Sequence, residues 1–292
     1  MAYITVASFA AQHGASERTI RNYCAQGKIP GAFLNGKTWN IPEGAPMPSR
    51  KANAGDLLAR LKAEMEDGVH GGIYYRTQID LTYNSNHIEG SRLTHEQTRM
   101  IFETHTLHVD NATVRVDDVV ETTNHFACVR YIIQHAKDRL TEKIIKQLHQ
   151  MLKQGTSDSM KDWFRVGDYK LLPNEVGGIE TCAPEKVHDA MVTLLSQYYQ
   201  HRPITLDDII AFHQRFEEIH PFQDGNGRVG RLIMFKECLA HRIVPYIIDE
   251  DLRYFYYRGL HEWSHEHGYL TDTCLAAQDK YKQVMDYFKV KY

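Results

Sequence analysis

Cysteine is sparse and unpatterned: Cys24, Cys128, Cys182, Cys238 and Cys274 are scattered through 292 residues with no C-x-x-C pair. That spacing argues against a disulfide framework and a zinc-finger framework, and points to reduced thiols and a cytoplasmic location. No apolar run approaches the length of a membrane span. The opening Met-Ala-Tyr-Ile-Thr-Val has no basic region ahead of an apolar stretch, so no secretory signal is expected. Charge of neither sign dominates, and the net charge of −3 gives no overall nucleic-acid signature. Internal repeats and low-complexity tracts are missing as well. What remains, 42% hydrophobic and 24% charged residues, is the make-up of a soluble globular protein of one large or two smaller domains.

The chemistry concentrates in His220–Arg231, HPFQDGNGRVGR. Upstream, Thr205–Ile219 has helical apolar spacing behind a capping Thr or Asp; downstream, Leu232–Leu239 reads as the body of a second helix. The stretch is therefore a helix–loop–helix junction with glycines at the turn. Outward N–H groups in such a turn and at a helix N-terminus attract anions. Arg228 and Arg231, spaced i and i+3, can point toward one anion. Asp224 offers a hard oxygen suited to a Mg²⁺ shared with phosphates. His220 can accept a proton near neutral pH. A lone His or Gly-x-Gly is more often structural; here base, metal ligand, anion turn and arginine pair fall within one short segment. It is a polyphosphate cradle beside a general base.

At every fixed position this segment matches HPFx(D/E)GNGRxxR, and the chain resembles the Fic-domain family. Gln223, Val229 and Gly230 fill the variable sites, and Gly227 stands where related kinase-like toxins have Lys. The resemblance covers roughly residues 56–290. It implies transfer of AMP from ATP to a Tyr, Ser or Thr hydroxyl of a protein, with release of pyrophosphate. In that reading His220 is the base and Asp224 holds Mg²⁺. Gly225, Asn226 and Gly227 form the anion hole, and Arg228 and Arg231 grip the β- and γ-phosphates. Phe222 anchors the loop from the core. Tyr257, at the family's distance from the motif, lines the adenine site. Family members often have Asn or Asp seven residues later, where this chain has Ser264.

A second stretch, Ser85-Asn-His-Ile-Glu89-Gly90, by itself reads as a solvated helix end. It matches the family's inhibitory motif (S/T)xxxE(G/N), whose Glu pairs with the second motif arginine. The resemblance is to members inhibited from their own N-terminal side. The same site used with Glu89 positioning water would instead hydrolyse AMP from modified proteins. His261-Glu-Trp-Ser-His265 fits the H-E-x-x-H zinc motif, but a chain with 17 histidines produces such a pattern too readily, and no well-spaced third ligand follows. It reads as a His-rich helix end. Tyr254-Phe-Tyr-Tyr257 reads as core.

Residues 1–50 carry five Lys/Arg and two Asp/Glu, a local +3 that leaves −6 for the rest. Thr5 can cap a helix through Gln12, Gly14 breaks it, and Ser16 can cap a second one over Glu17–Ala25. Asn35-Gly36 between apolar residues signals a hairpin. The segment resembles a winged helix-turn-helix of the MerR and excisionase type. Arg18, Arg21 and Asn22 would then read DNA, and Lys37 in the wing would touch its backbone. A helical module that merely docks on a protein is the alternative.

The expected fold is mainly α: a winged helix-turn-helix over 1–44, a linker over 45–55, and an all-helical Fic domain with a short β-hairpin flap over 56–292. Helices are expected over Asp56–Asp67, Ile73–Asn86, from the Thr94 capping box to Phe102, Val116–Ala136, Thr141–Lys153 and from Pro184 to about Gln200, with the hairpin within Leu171–Ala183. The flap would hold the target segment by main-chain pairing. Mg²⁺ and ATP are the implied cofactor and substrate. The implied partners are a hydroxyl-bearing protein target (the chain itself included), promoter DNA and further copies of the chain. A transcriptional regulator whose enzyme domain serves as sensor or autoregulator is the competing function. Neither the target, nor the donor nucleotide, nor the direction of AMP transfer follows from the sequence.

Overall fold

The computed structural model describes residues 2–13, 17–25, 27–47, 56–109, 113–200 and 203–292, without the side chains of Arg18, Thr19 and Asn22. The proposed helix breaker Gly14, the proposed cap Ser16 and most of the 45–55 linker therefore lie outside the described residues. The chain divides into two compact units, Met1–Asn53 and Ala54–Tyr292.

The smaller unit runs β1 (Tyr3–Thr5), α1 (Val6–Gln12), α2 (Glu17–Ala25), β2 (Phe33–Asn35) and β3 (Thr38–Pro42). The Thr5 hydroxyl caps α1 by accepting from the Ser8 N–H. Val6, Phe9, Ala10, Ile20, Cys24, Ile29 and Ile41 close a small core. The strands form an antiparallel sheet in the order β1-β3-β2. Strand β1, too short to show periodicity, has no signal in the sequence. The hairpin turn sits one residue later than its Asn-Gly signal suggests. Asn35 pairs with Thr38, leaving Gly36-Lys37 as the two turn residues. Gly36 has φ 62° and Lys37 is outside the positive-φ region. Glycine at the first turn position is the pattern of a type II′ hairpin, whose twist suits the flanking strands.

The larger unit is mainly helical: α3 (Leu57–Glu66), α4 (Ile73–Ile88), α5 (His95–Thr104), α6 (Val116–Gln134), α7 (Glu142–Lys153), the hairpin β4 (Glu175–Val176) and β5 (Ile179–Glu180), α8 (Val187–Tyr198), α9 (Leu206–Ile219), α10 (Asn226–Ala240), α11 (Glu250–His261) and α12 (Gly268–Tyr287). Caps start several of these helices. Asp56 accepts from Leu58 N, Thr141 from Ile144 N and Asp249 from Leu252 N, and Thr94 and Thr205 each form a capping box. Helix α10 lies at the centre, packed on α4, α6, α7 and α9. Residues 228–239 are all buried, as expected of a helix without a solvent face. Its internal charges are paired. Lys236 donates to Ala136 O, Asp138 O and Glu237, and Glu237 also accepts from the Tyr198 hydroxyl.

Three expectations need correction. Helix α4 does not end at Asn86 but continues to Ile88. Ser85 and Asn86 are buried there and bonded to Arg231 and Thr122, so tertiary partners override weak local propensity. Pro184 opens a 3-10 turn to Lys186, and α8 starts only at Val187. In Tyr254–Tyr257 only Tyr256 is core; Tyr254, Phe255 and Tyr257 are exposed. Consecutive helical residues are about 100° apart, so one face of α11 cannot bury all four. Among the described residues no helix is long and apolar enough to cross a membrane.

Candidate active site

The cradle forms where α9 ends and α10 begins. His220 is the C-cap of α9 in the left-handed region (φ 51°), and Gly225 (φ 83°) is the N-cap of α10. Between them Asn226 fixes the loop. Its Oδ1 accepts from Phe222 N at 2.8 Å and its Nδ2 donates to Phe222 O at 2.8 Å. The Asn226 side chain is thus buried as a brace, and what the Gly225–Gly227 turn offers an anion is its backbone. Phe222 is fully buried beneath, stacked on His149 with centroids 4.0 Å apart.

His149, on α7, carries no signal in the sequence beyond its place on an apolar helix face. Gly167 N donates to its Nδ1 at 2.9 Å, so the ring proton sits on Nε2 and points to Asp224 O at 3.2 Å. Burial pushes its pKa down to about 3, keeping the ring a neutral strut. At His220 the Nδ1 proton goes to Glu217 O at 3.2 Å, which leaves Nε2 with its lone pair. Burial pushes His220 down to about 4; the Glu217 carbonyl works against that shift and the Lys170 ammonium adds to it. The group is a neutral imidazole at pH 7.

Lys170 is a second group that the sequence does not advertise. Its buried Nζ donates to Asn174 Oδ1 and Thr181 Oγ1, each at 2.6 Å, and its N–H donates to Pro221 O at 2.9 Å. Asn174 Nδ2 donates to Phe222 O at 3.0 Å, and Leu172 N to Gln223 Oε1 at 3.2 Å. The β4–β5 hairpin is thereby tied to the loop after His220. Val176 and Ile179, on the hairpin, are exposed. With no acid bonded to it among the described residues, the Lys170 ammonium is pushed by burial down to about 8.

The two arginines do not converge on one point. Arg228 binds Glu121 of α6 through NH1 and Asp224 Oδ2 through NH2, the latter at 3.1 Å. Arg231 donates from Nε to Ser85 Oγ (3.0 Å) and from NH2 to Ser85 O (2.8 Å) and Glu89 Oε1 (2.7 Å). Its NH1 is buried without a partner among the described residues. Glu89 caps α4, and Gly90 (φ 92°) turns the chain away. Gly227 is needed for this approach: a Cβ there would overlap Glu89 Oε1 and stand 3.0 Å from Arg231 NH1. Behind Arg231, burial raises the Glu217 carboxyl to about 8 despite the guanidinium. The Tyr257 hydroxyl donates to Ile88 O at 3.2 Å, beside Glu89.

Asp224 is about half exposed (47%). Burial alone would raise its pKa, but Arg228 and Lys153 hold the carboxyl well below the usual range. The ion-pair contacts from Lys153 and Arg228 both fall on Oδ2. An ionised, half-exposed carboxylate at the head of α10 is a donor that fits Mg²⁺. Among the described residues no group of three or more His, Cys, Asp or Glu side chains is disposed to hold a metal unaided. His261 and His265 contact their neighbours Glu262 and Ser264. In the smaller unit Arg21 is exposed and pairs with Glu17 at 2.6 Å, and Lys37 is exposed at the hairpin tip. The Arg18 and Asn22 side chains lie outside the described residues.

Residues 139–238 match the model of the Fic/DOC family. Protein adenylyltransferase Fic of Aedes aegypti is 29% identical over 187 residues, covering 61% of this chain and 36% of its own length. Protein adenylyltransferase fic-1 of Caenorhabditis elegans is 25% identical over 188 residues, covering 61% and 35%. The match therefore spans about a third of these relatives. A Fic domain containing signaling protein from Bacteroides thetaiotaomicron superposes with TM-score 0.60 at 24% identity, over 80% of this chain and 91% of that one. A Fic-1 fragment from C. elegans gives 0.59 at 20%, over 79% and 71%. At these identities the two structures show the fold.

Proposed function

We propose that this protein is a Fic-type adenylyltransferase that moves AMP from ATP to a protein hydroxyl, restrained by Glu89. The reading rests on His220, held by the Glu217 carbonyl with Nε2 free, at the head of a helix whose first turns carry Arg228 and Arg231. The target oxygen forms a bond to the α-phosphorus while the bond from phosphorus to the leaving pyrophosphate breaks, and His220 Nε2 takes the hydroxyl proton. The N–H groups of Gly225–Gly227 and the Arg228 guanidinium face the phosphate charge. Mg²⁺, held by Asp224, would neutralise charge growing on the leaving group. The hairpin tied down by Lys170 and Asn174 would present the target strand beside His220. Glu89 occupies the NH2 of Arg231 that a γ-phosphate would need. Tyr257 would flank the base.

The smaller unit is proposed to bind DNA as a winged helix-turn-helix, with Arg21 on α2 and Lys37 on the hairpin as two of its contacts. On this reading the chain joins an enzyme unit to a promoter-binding module.

The deciding experiment incubates the full chain with ATP labelled at the α-phosphate, Mg²⁺ and a cell lysate. Label on protein that disappears in His220→Asn supports transfer. Absence of label from wild type and Glu89→Gly alike, with AMP released from pre-modified protein, would replace transfer by hydrolysis.

A further inference from the structure

The side chain with the most ionic partners around the cradle is Lys153, the last residue of α7, which the mechanism above does not use. It is 2% exposed. Its Nζ lies 2.5 Å from Glu121 Oε1 on α6, 2.6 Å from Asp224 Oδ2 on the motif loop, and 3.1 Å from Asp158 Oδ2 on a separate 3-10 turn. An ammonium has three protons, and each has a carboxylate. These acids come from three separated segments, so the arrangement is made by the fold. Arg228 braces the same group, binding Glu121 and the same Asp224 oxygen. Lys161 Nζ in turn binds Asp158 Oδ1 at 2.6 Å, so three carboxylates face three cations and no net charge is left over.

That balance bears on metal entry. A divalent cation approaching Asp224 alone would meet one carboxylate already shared between two cations, with the Lys153 ammonium 2.6 Å from its Oδ2. Repulsion at such range is strong, and the cluster carries no excess negative charge to oppose it. Phosphates change the sum, because a bound nucleotide adds several negative charges and further oxygen donors at the same spot. We propose that Lys153 closes the Asp224 site to free divalent cations, so that the metal enters only together with the nucleotide's phosphates. Lys153 is a positioning residue in this account: it acts through Asp224, fixing Oδ2 and leaving Oδ1 for the metal. The inference rests on the reading of Asp224 as the metal ligand.

The test is Mn²⁺ binding to the full-length protein, followed by the loss of the free-ion electron paramagnetic resonance signal. Beyond the Mn²⁺ that the same ATP holds in the absence of protein, wild type should bind Mn²⁺ at least about a hundredfold more tightly with ATP present than without it. Without nucleotide, Lys153→Met should bind at least about tenfold more tightly than wild type. Lys153→Gln, which keeps two N–H donors among the acids, carries the same expectation if Met prevents folding. Lys153→Arg should behave as wild type, and Asp224→Asn added to Lys153→Met should remove the gain. A role confined to stability would lower the melting temperature without creating nucleotide-free metal binding. Equal Mn²⁺ affinity with and without ATP in wild type, or a gain that survives Asp224→Asn, would overturn the proposal. The readout needs no AMP transfer. A Mn²⁺ gain without transfer activity upholds the role of Lys153 and rejects the transfer reading; transfer without the gain does the reverse.

Discussion

Arg231 and Glu89 are 142 residues apart in the chain and 2.7 Å apart in the fold. The guanidinium is 4% exposed and the carboxylate 29%, so the pair lies mostly out of water with its open side on the Glu89 edge. Ser85 holds the same guanidinium through its hydroxyl and its carbonyl. Removing Glu89 therefore frees Arg231 NH2 without letting the arginine swing away.

Glu89→Gly should raise AMP transfer, self-modification included, by more than about tenfold. A misplaced γ-phosphate turns the α-phosphorus off the line of attack, and about 1 Å of misplacement can cost roughly a hundredfold. Adding Arg231→Ala should lose most of that gain. Label incorporation at matched ATP and Mg²⁺ checks both; equal rates for wild type and Glu89→Gly would rule out the inhibitory role.

His220→Asn should abolish transfer and leave the fold standing. The position is left-handed, a conformation that Asn tolerates better than Ala, so Asn separates chemistry from backbone strain. Transfer at near wild-type rate under multiple turnover would show that another group takes the proton.

Asn226→Ala should cost about 1–3 kcal/mol of stability, because it strands the N–H of the buried Phe222, while the Phe222 C=O keeps its Asn174 donor. Asn226→Asp keeps an acceptor for the N–H and gives no donor to the carbonyl, so it should fall between. Chemical denaturation of the full chain measures both; an unchanged midpoint for Ala would mean the loop is held elsewhere.

Acid should unfold the protein early. Burial holds His125, His149 and His213 near 3, far below the ordinary 6.5. Between those values the unfolded chain binds more protons than the folded one, so stability falls as pH drops below about 6.5. At pH 5 each of the three costs about 2 kcal/mol. Glu217, raised to about 8, works the other way: its contribution is present below about 4.5 and lost as pH rises through 8. The melting temperature should therefore fall markedly from pH 7 to pH 5, and a flat profile over that range would contradict the neutral-histidine assignment.

If the smaller unit binds DNA, affinity of the full chain for its own promoter fragment should fall steeply with salt. Lys37→Ala should weaken binding to all sequences alike, and Arg21→Ala should also relax specificity. No salt-sensitive binding to any promoter fragment, or no effect of Arg21→Ala, would leave the unit as a protein-docking module.

Local chemistry was enough to read much of this chain from its sequence. Capping side chains at Thr5, Thr94, Thr141 and Thr205 act on N–H groups three residues away, so the helix starts they mark are written in short segments. The junction 220–231 is legible for the same reason: base, carboxylate, glycines and arginines are neighbours along the backbone. What the tertiary structure decided is what depends on residues distant in sequence meeting. Lys153, Glu121 and Asp158 are ordinary surface-type residues until α6, α7 and the 158–160 turn bring their charges around Asp224. Lys170 and His149 likewise gain their roles from the Pro221, Asn174 and Gly167 groups they meet. The end of α4 persists because Arg231 and Thr122 satisfy Ser85 and Asn86, which no local propensity could foretell. Burial then sets the protonation of the histidines and of Glu217, a property of their packed surroundings that no stretch of sequence carries by itself.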